Sequence, residues 1–423
     1  MKRNKQNVLS IVILSILLVV FLNTVVFAQE PIHTAFKLRT ITAGVNVTVD
    51  NYREVLEETK VFLEKAKDIM VREGFARPGA RIATQPHAYY LKGLSVEESY
   101  AIVKDMRTIA TGYLFNVGPG IVDDVYDQEA IDKILAFTDI GASRTIIIAS
   151  KENGIHWNAI KAAAEVIKKA SLMEIGGRVG GTLANNSIFG ALGNVDSEVP
   201  FFPGAYHNRS YNSFSIGTES ASLFMKVFSE VNSMQEAEKA LLEEYEREIK
   251  FVEAAAFKIE KETGWKFQGI DTTPAQMGEI SIGKAVEDLI KAPFGTPGTL
   301  AACAIMTSVI KNVDVKQIGY RGLFLPPMED NVLAARAYDY YNLDSLLAYS
   351  AVCGTGLDVL ALPGDITNFE LEKILLDVAF LSLKLDKPLT ARLMPFVGRK
   401  EGELVDTKEE TGNYAAMKVL KVR

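Results

Sequence analysis

Tyr349-Ser350-Ala351-Val352-Cys353-Gly354-Thr355-Gly356-Leu357-Asp358, with Pro363-Gly364-Asp365 close behind, is the stretch on which the reading of the fold turns. Leu346 to Val352 are apolar or small, which suits a buried strand. The Gly354-Thr355-Gly356 turn then permits positive φ or close approach to a neighbouring backbone. On this reading a thiol and two carboxylates, Cys353, Asp358 and Asp365, gather near one strand end. In α/β folds the carboxyl ends of strands are where sites form. A lone Cys in an apolar run is nonetheless more often a small core residue than a nucleophile.

Working outward, strands and helices alternate along most of the chain. Leu38 to Val49 is rich in β-branched residues and predicts a strand, followed by a helix from Asn51 to Arg72 that Gly74 ends. Further strands are expected at Arg81–Thr84, Arg144–Ala149, Trp265–Ile270, Tyr320–Leu325 and Leu389–Met394. Asn116-Val117-Gly118-Pro119-Gly120 reads as a loop. The longest helical pattern runs from Ser233 to Thr263 and stops at Gly264. Such alternation predicts an α/β fold with a sheet covered by helices. No linker or internal repeat divides the chain, so residues 29–423 are expected to form a single domain.

Composition narrows the function classes. The chain has 423 residues, 48% hydrophobic and 23% charged, which excludes a disordered protein. A net charge of −7 and the lack of a Lys/Arg stripe argue against nucleic acid as a partner. Two Cys, four His, no C-x-x-C and no H-E-x-x-H make a Cys/His zinc site improbable. At the N-terminus, Lys2, Arg3 and Lys5 precede an apolar run from Val8 to Val26, and Val26-Phe27-Ala28 offers a cleavage site. That is the pattern of a signal peptide over residues 1–28, which predicts a secreted or extracytoplasmic protein. The rival is an uncleaved anchor, the one membrane contact expected.

Several predicted strands end in acids. Asp271, Glu329, Asp330 and Asp358 follow apolar runs, and Arg392 lies within another. Carboxylates gathered in this way bind a hard cation through oxygen or act as general acid and base. Each one taken singly reads more readily as a helix cap. Glu329, Asp330 and Asp358 are the candidate acid–base groups, with His207 and Cys353 beside them as further candidates for catalysis. Asp271 and Asp358 are the candidate ligands of a divalent hard cation, Ca or Mg. A second region, Asn185-Asn186 and then Pro200-Phe201-Phe202-Pro203-Gly204-Ala205-Tyr206-His207, offers paired amides and a rigid aromatic loop. Asn185, Asn186, Tyr206 and Arg392 are the candidate substrate-binding residues.

LRTITAGV, LANNSIFGALGNV, VPFFPGAYH, FGTPGTLAACAIMT, GYRGLFLPPMEDN, YSAVCGTGLDVLALPGD and KPLTARLMPFVG are stretches in which the chain resembles the domain of unknown function 711 family, also called UPF0210. The resemblance spans about Leu38 to Gly398. It implies a ten-stranded α/β barrel of the pyruvate formate-lyase-like type, in which a loop enters the middle. In glycyl radical enzymes that loop carries a reactive Cys, and Cys353 is the natural counterpart here. The Arg-Val-x-Gly-aromatic motif of a glycyl radical is missing, so no radical cofactor is expected. Two functions stay open at this stage. One is an exported enzyme acting on a small polar or anionic molecule by acid–base or metal-assisted hydrolase or lyase chemistry. The other is an exported small-ligand-binding protein without catalysis.

Overall fold

The computed structural model describes residues 31–175, 178–179, 186–352, 355–407 and 414–422. The expected leader, Asn185 and Cys353 lie outside the described residues. Ten strands among those described form one mixed sheet: β1 (Lys37–Val45), β2 (Gly79–Thr84), β3 (Leu114–Ile121), β4 (Ser143–Ser150), β5 (Gly154–Ile155), β6 (Phe189–Gly193), β7 (Ser213–Glu219), β8 (Lys266–Asp271), β9 (Gly356–Pro363) and β10 (Leu389–Phe396). Their order is β8-β7-β1-β2-β3-β4-β6-β10-β9, with the short β5 folded back on β4. The central five, β1-β2-β3-β4-β6, run parallel. The flanking pairs β7-β8 and β10-β9 are each parallel within themselves and antiparallel to the centre. The amino ends of the central strands are therefore level with the carboxyl ends of the outer ones, and residues from both directions meet at one mouth.

Helices cover one face of this sheet. Ile41 and Ala43 of β1, Ile82 of β2 and Ile146 and Ile148 of β4 join helix residues such as Leu56, Leu63 and Ile131 in the main core. The period of two puts Thr42, Arg81 and Thr145 on the other face. That face is filled by irregular chain rather than by helices. Leu192, Val199, Phe201, Tyr206, Tyr320 and Phe324 form a second, smaller core there. Glycines in the strands make room for it: a Cβ on Gly217 would lie 2.5 Å from the Phe201 ring, and one on Gly190 2.3 Å from Pro203. Thr42 donates its hydroxyl to the Pro200 carbonyl at 2.7 Å, which ties the segment 194–207 to β1.

Most elements sit where their local signals predict. Ser95 and Glu98 form a reciprocal capping box at the helix Val96–Ile109, and Ser233 caps the helix Met234–Thr263. Gly264 closes that helix in the left-handed region at φ 80°. Three expectations are corrected. The apolar run expected to be a strand at Leu346–Val352 belongs to a helix, Leu343–Val352, whose buried residues are Leu343, Leu346, Tyr349 and Ser350. Their spacing follows a helical turn, a period that a run apolar on all sides conceals. Second, Tyr320–Leu325 is irregular chain inside the small core, not a strand. Third, the Gly-Pro-Gly segment expected to be a loop runs through β3, with irregular register against β4 at Asn116, Pro119 and Ile121. No helix among the described residues is long and apolar enough to cross a membrane.

Candidate functional site

Arg81 stands alone in the middle of the sheet. It lies on β2 in Gly-Ala-Arg-Ile-Ala-Thr, where alternation sends Ile82 into the helix-covered core and Arg81 to the inner face. Only 7% of the residue is exposed. Its Nη1 donates to Asn116 Oδ1 at 2.8 Å, while Nε is buried with no hydrogen-bond partner. Among the described residues no carboxylate lies within ion-pair distance of it. Burial, and then the charges of Arg39 and Arg392, lower the guanidinium to about 9, so that it still carries its charge at neutral pH.

Arg392 on β10 has the opposite surroundings. It grips Asp358 of β9 with a two-pronged contact, Nε to Oδ1 and Nη2 to Oδ2, the latter at 2.7 Å. The same Nη2 also reaches Glu329 Oε1 at 3.1 Å, and Tyr414 donates its hydroxyl to that oxygen at 3.4 Å. The guanidinium lies 5.6 Å from the centre of the Phe202 ring. Burial opposes its charge, but Asp358 and Glu329 outweigh burial and hold it well above the usual range. Burial likewise pushes the Asp358 carboxyl up, against the pull of Arg392. Nearby, Arg39 on β1 pairs with Glu219 of β7 at 3.1 Å. Gln276 donates Nε2 to the Phe324 carbonyl at 2.8 Å and leaves Oε1 buried without a partner.

Arg39, Arg81, Gln276, Glu329, Asp358 and Arg392 line one cavity of about 190 Å³, at the amino ends of the central strands where Leu114 begins β3 and Ser143 begins β4. Their formal charges divide unevenly. Arg39 and Glu219 balance each other, the cluster of Arg392 with Asp358 and Glu329 has one acid in excess, and Arg81 has no acidic partner among the described residues. A second, larger cavity of about 560 Å³ opens at the other end of the same strands, lined by Ser150, Asn194, Asp196, Tyr206, Arg209 and Arg321.

The residues expected to form one site are thus only partly brought together. Glu329, Asp358 and Arg392 share the smaller cavity. Tyr206 borders the larger one and donates its hydroxyl to the Val195 carbonyl at 3.1 Å. His207 is fully buried against Gly44, with Nδ1 3.0 Å from Glu198. Glu198 also accepts from Ser213 Oγ at 2.6 Å and from the Asn208 N–H at 2.9 Å. Burial works against its charge, yet these three contacts hold the Glu198 carboxyl below the ordinary range. Ser213 Oγ also lies 3.4 Å from His207 Nδ1, but its shorter contact is to Glu198, on which both side chains converge. Asn186 donates to the Ile167 carbonyl at 3.3 Å and packs against a helix.

Asp330 and Asp271 have structural posts. Asp330 accepts from Ser281 Oγ at 2.5 Å and from the N–H groups of Gly283, Val332 and Leu333 at 3.0–3.1 Å, capping the helix Asn331–Arg336. Asp271 accepts from Thr273 N and Oγ1 and from the N–H groups of Tyr320 and Arg321, so it holds the 319–321 turn against the end of β8. Among the described residues no group of three or more His, Cys, Asp or Glu is placed to hold a metal ion. Sequence reasoning missed Arg39, Arg81 and Gln276. The signal for Arg81 was a charge at an inner-face position of an otherwise apolar strand.

A family model described as uncharacterised ACR (DUF711) matches residues 32–408. A UPF0210 protein of Pyrobaculum islandicum is 27% identical over 421 residues, covering 91% of each chain. One of Carboxydothermus hydrogenoformans is 27% identical over 424 residues, covering 90% of each. One of Pyrobaculum aerophilum is 30% identical over 284 residues, which are 64% of this chain and 61% of that protein. These names carry neither a reaction nor a compartment. The expectation of a hydrolase- or lyase-type enzyme, or of a binder of the exported kind, is corrected to membership of an uncharacterised family, and the acids expected to act there have other partners. Asp330, one of those acids, is spent on a helix cap, Asp358 is neutralised by Arg392, and Asp271 holds a turn.

Proposed function

The chain belongs to the DUF711 family, and from the charges around its inner cavity we propose that it binds a small organic carboxylate through Arg81. The isolation of Arg81 carries this reading. A guanidinium this buried without a counter-charge costs several kcal/mol, a cost that a bound anion would offset. A carboxylate fits the two-pronged donor edge of a guanidinium better than a spherical ion does. Asn116 supports the role by occupying Nη1 with its carbonyl oxygen, while Nε has no hydrogen-bond partner among the described residues.

The finer reading of the fold belongs with this proposal. The strand count, the helices on one face and the irregular segments 194–207 and 319–325 on the other support a ten-stranded barrel of the pyruvate formate-lyase-like type. In such a barrel the cavity would be one mouth of the interior.

The test is thermal unfolding of the purified protein in sodium propionate against sodium chloride at matched ionic strength. Propionate raises the melting temperature in a saturable way, by RT ln(1 + [L]/Kd) in free energy. Arg81→Met removes the propionate shift, and the ligand-free variant is as stable as the parent or more so, because an uncompensated buried charge is gone. An unchanged shift in Arg81→Met, or no shift in the parent protein, refutes the assignment.

A further inference from the structure

We infer that the ligand of the inner cavity is a zwitterion, a small α-amino acid or a close relative bearing both ammonium and carboxylate. The inference rests on the carboxylate reading above and deepens it. The cavity wall offers a separated pair of formal charges, one positive in excess at Arg81 and one negative in excess where Arg392 meets Asp358 and Glu329. A plain carboxylate answers only the first, and a plain amine only the second. A dicarboxylate would set its second charge against Glu329. A molecule with both groups satisfies both ends without changing the net charge of the cavity.

The uncharged groups have the same polarity. Gln276 is 2% exposed, and the Phe324 carbonyl can accept only from its NH₂. Its orphaned atom is therefore the oxygen, an acceptor suited to an ammonium. Glu329 uses Oε1 for Arg392 and Tyr414, and its Oε2 makes no hydrogen bond among the described residues. On the Arg81 side the orphaned atom is a donor, Nε. Phe201, Phe202 and Phe324 supply an apolar wall for a short side chain. A volume of about 190 Å³ is below the ordinary range of cavities for larger ligands and keeps the ligand small.

The experiment compares glycine, L-alanine and L-serine with propionate and ethylamine, by calorimetry and thermal shift, on the unmodified protein and on Glu329→Gln. The best of the amino acids binds at least about tenfold more tightly than propionate, and ethylamine does not bind measurably. In Glu329→Gln the preference over propionate shrinks towards unity while propionate binding itself is retained. Propionate binding equal to that of the amino acids in the unmodified protein overturns the zwitterion and leaves the carboxylate reading standing. Binding of none of these probes overturns both. A Glu329→Gln protein that keeps the full preference removes Glu329 as the ammonium partner and overturns the inference in this form. The ratios on the unmodified protein decide the matter even if the variant does not fold.

Discussion

Replacing Asp330 separates a structural acid from a chemical one. Its two carboxylate oxygens accept four hydrogen bonds, from Ser281 Oγ and from the N–H groups of Gly283, Val332 and Leu333, and the residue is fully buried. Asp330→Ala strips the cap from the helix Asn331–Arg336, worth about 1 kcal/mol. It also orphans Ser281 Oγ and the Gly283 N–H at the start of the helix Ile282–Ile290, at about 1–3 kcal/mol each. Relief from burying a charge offsets part of this, so the expected loss is about 3–4 kcal/mol. Asp330→Asn keeps one acceptor but turns an NH₂ towards a donor, and should cost about half as much. Urea unfolding followed by fluorescence, with the slope checked to be unchanged, measures both. An Asp330→Ala midpoint equal to that of the parent would refute the view of Asp330 as the clamp between two helices. It would return this acid to the list of groups held for chemistry.

Arg392→Met leaves Asp358 and Glu329 facing each other with no cation, and should destabilise by about 3–5 kcal/mol. Adding Asp358→Asn should recover part of that loss, measured by the same urea series in a double-mutant cycle. His87 is buried, with Nδ1 3.0 Å from the Gly118 carbonyl, and burial lowers it to about 4. A histidine lowered in the fold takes its proton more readily when unfolded, so stability falls as pH drops from about 6.5 towards 4. The whole effect is about 3 kcal/mol, and His87→Gln should flatten the melting-temperature profile across that window. A profile equally steep in the variant would assign the acid sensitivity elsewhere.

The sequence by itself determined the elements whose signals are local. Capping pairs such as Ser95 with Glu98, the left-handed Gly264 and the β-branched run Leu38–Val45 act over three to eight residues, within reach of propensity and periodicity. The family was legible as well, because it is carried by contiguous stretches. Only the tertiary structure decided which strand-end residues share a cavity. Asp358 meets Arg392 across 34 positions and Glu329 meets it across 63, while Asp330 reaches Ser281 and Asp271 reaches the Tyr320 N–H across 49 each. An acid after an apolar run has the same local pattern in either case. Its role depends on which donors the sheet order brings within 3 Å. Leu343–Val352 was misread for a related reason, since a segment apolar on every side hides its period. Arg81 is the clearest case. Its charge is plain in the sequence, but its isolation comes from the strand order: Arg39 on the neighbouring β1 pairs with Glu219 on β7 beyond it, and Arg392 on β10 pairs with Asp358 on β9 beyond it.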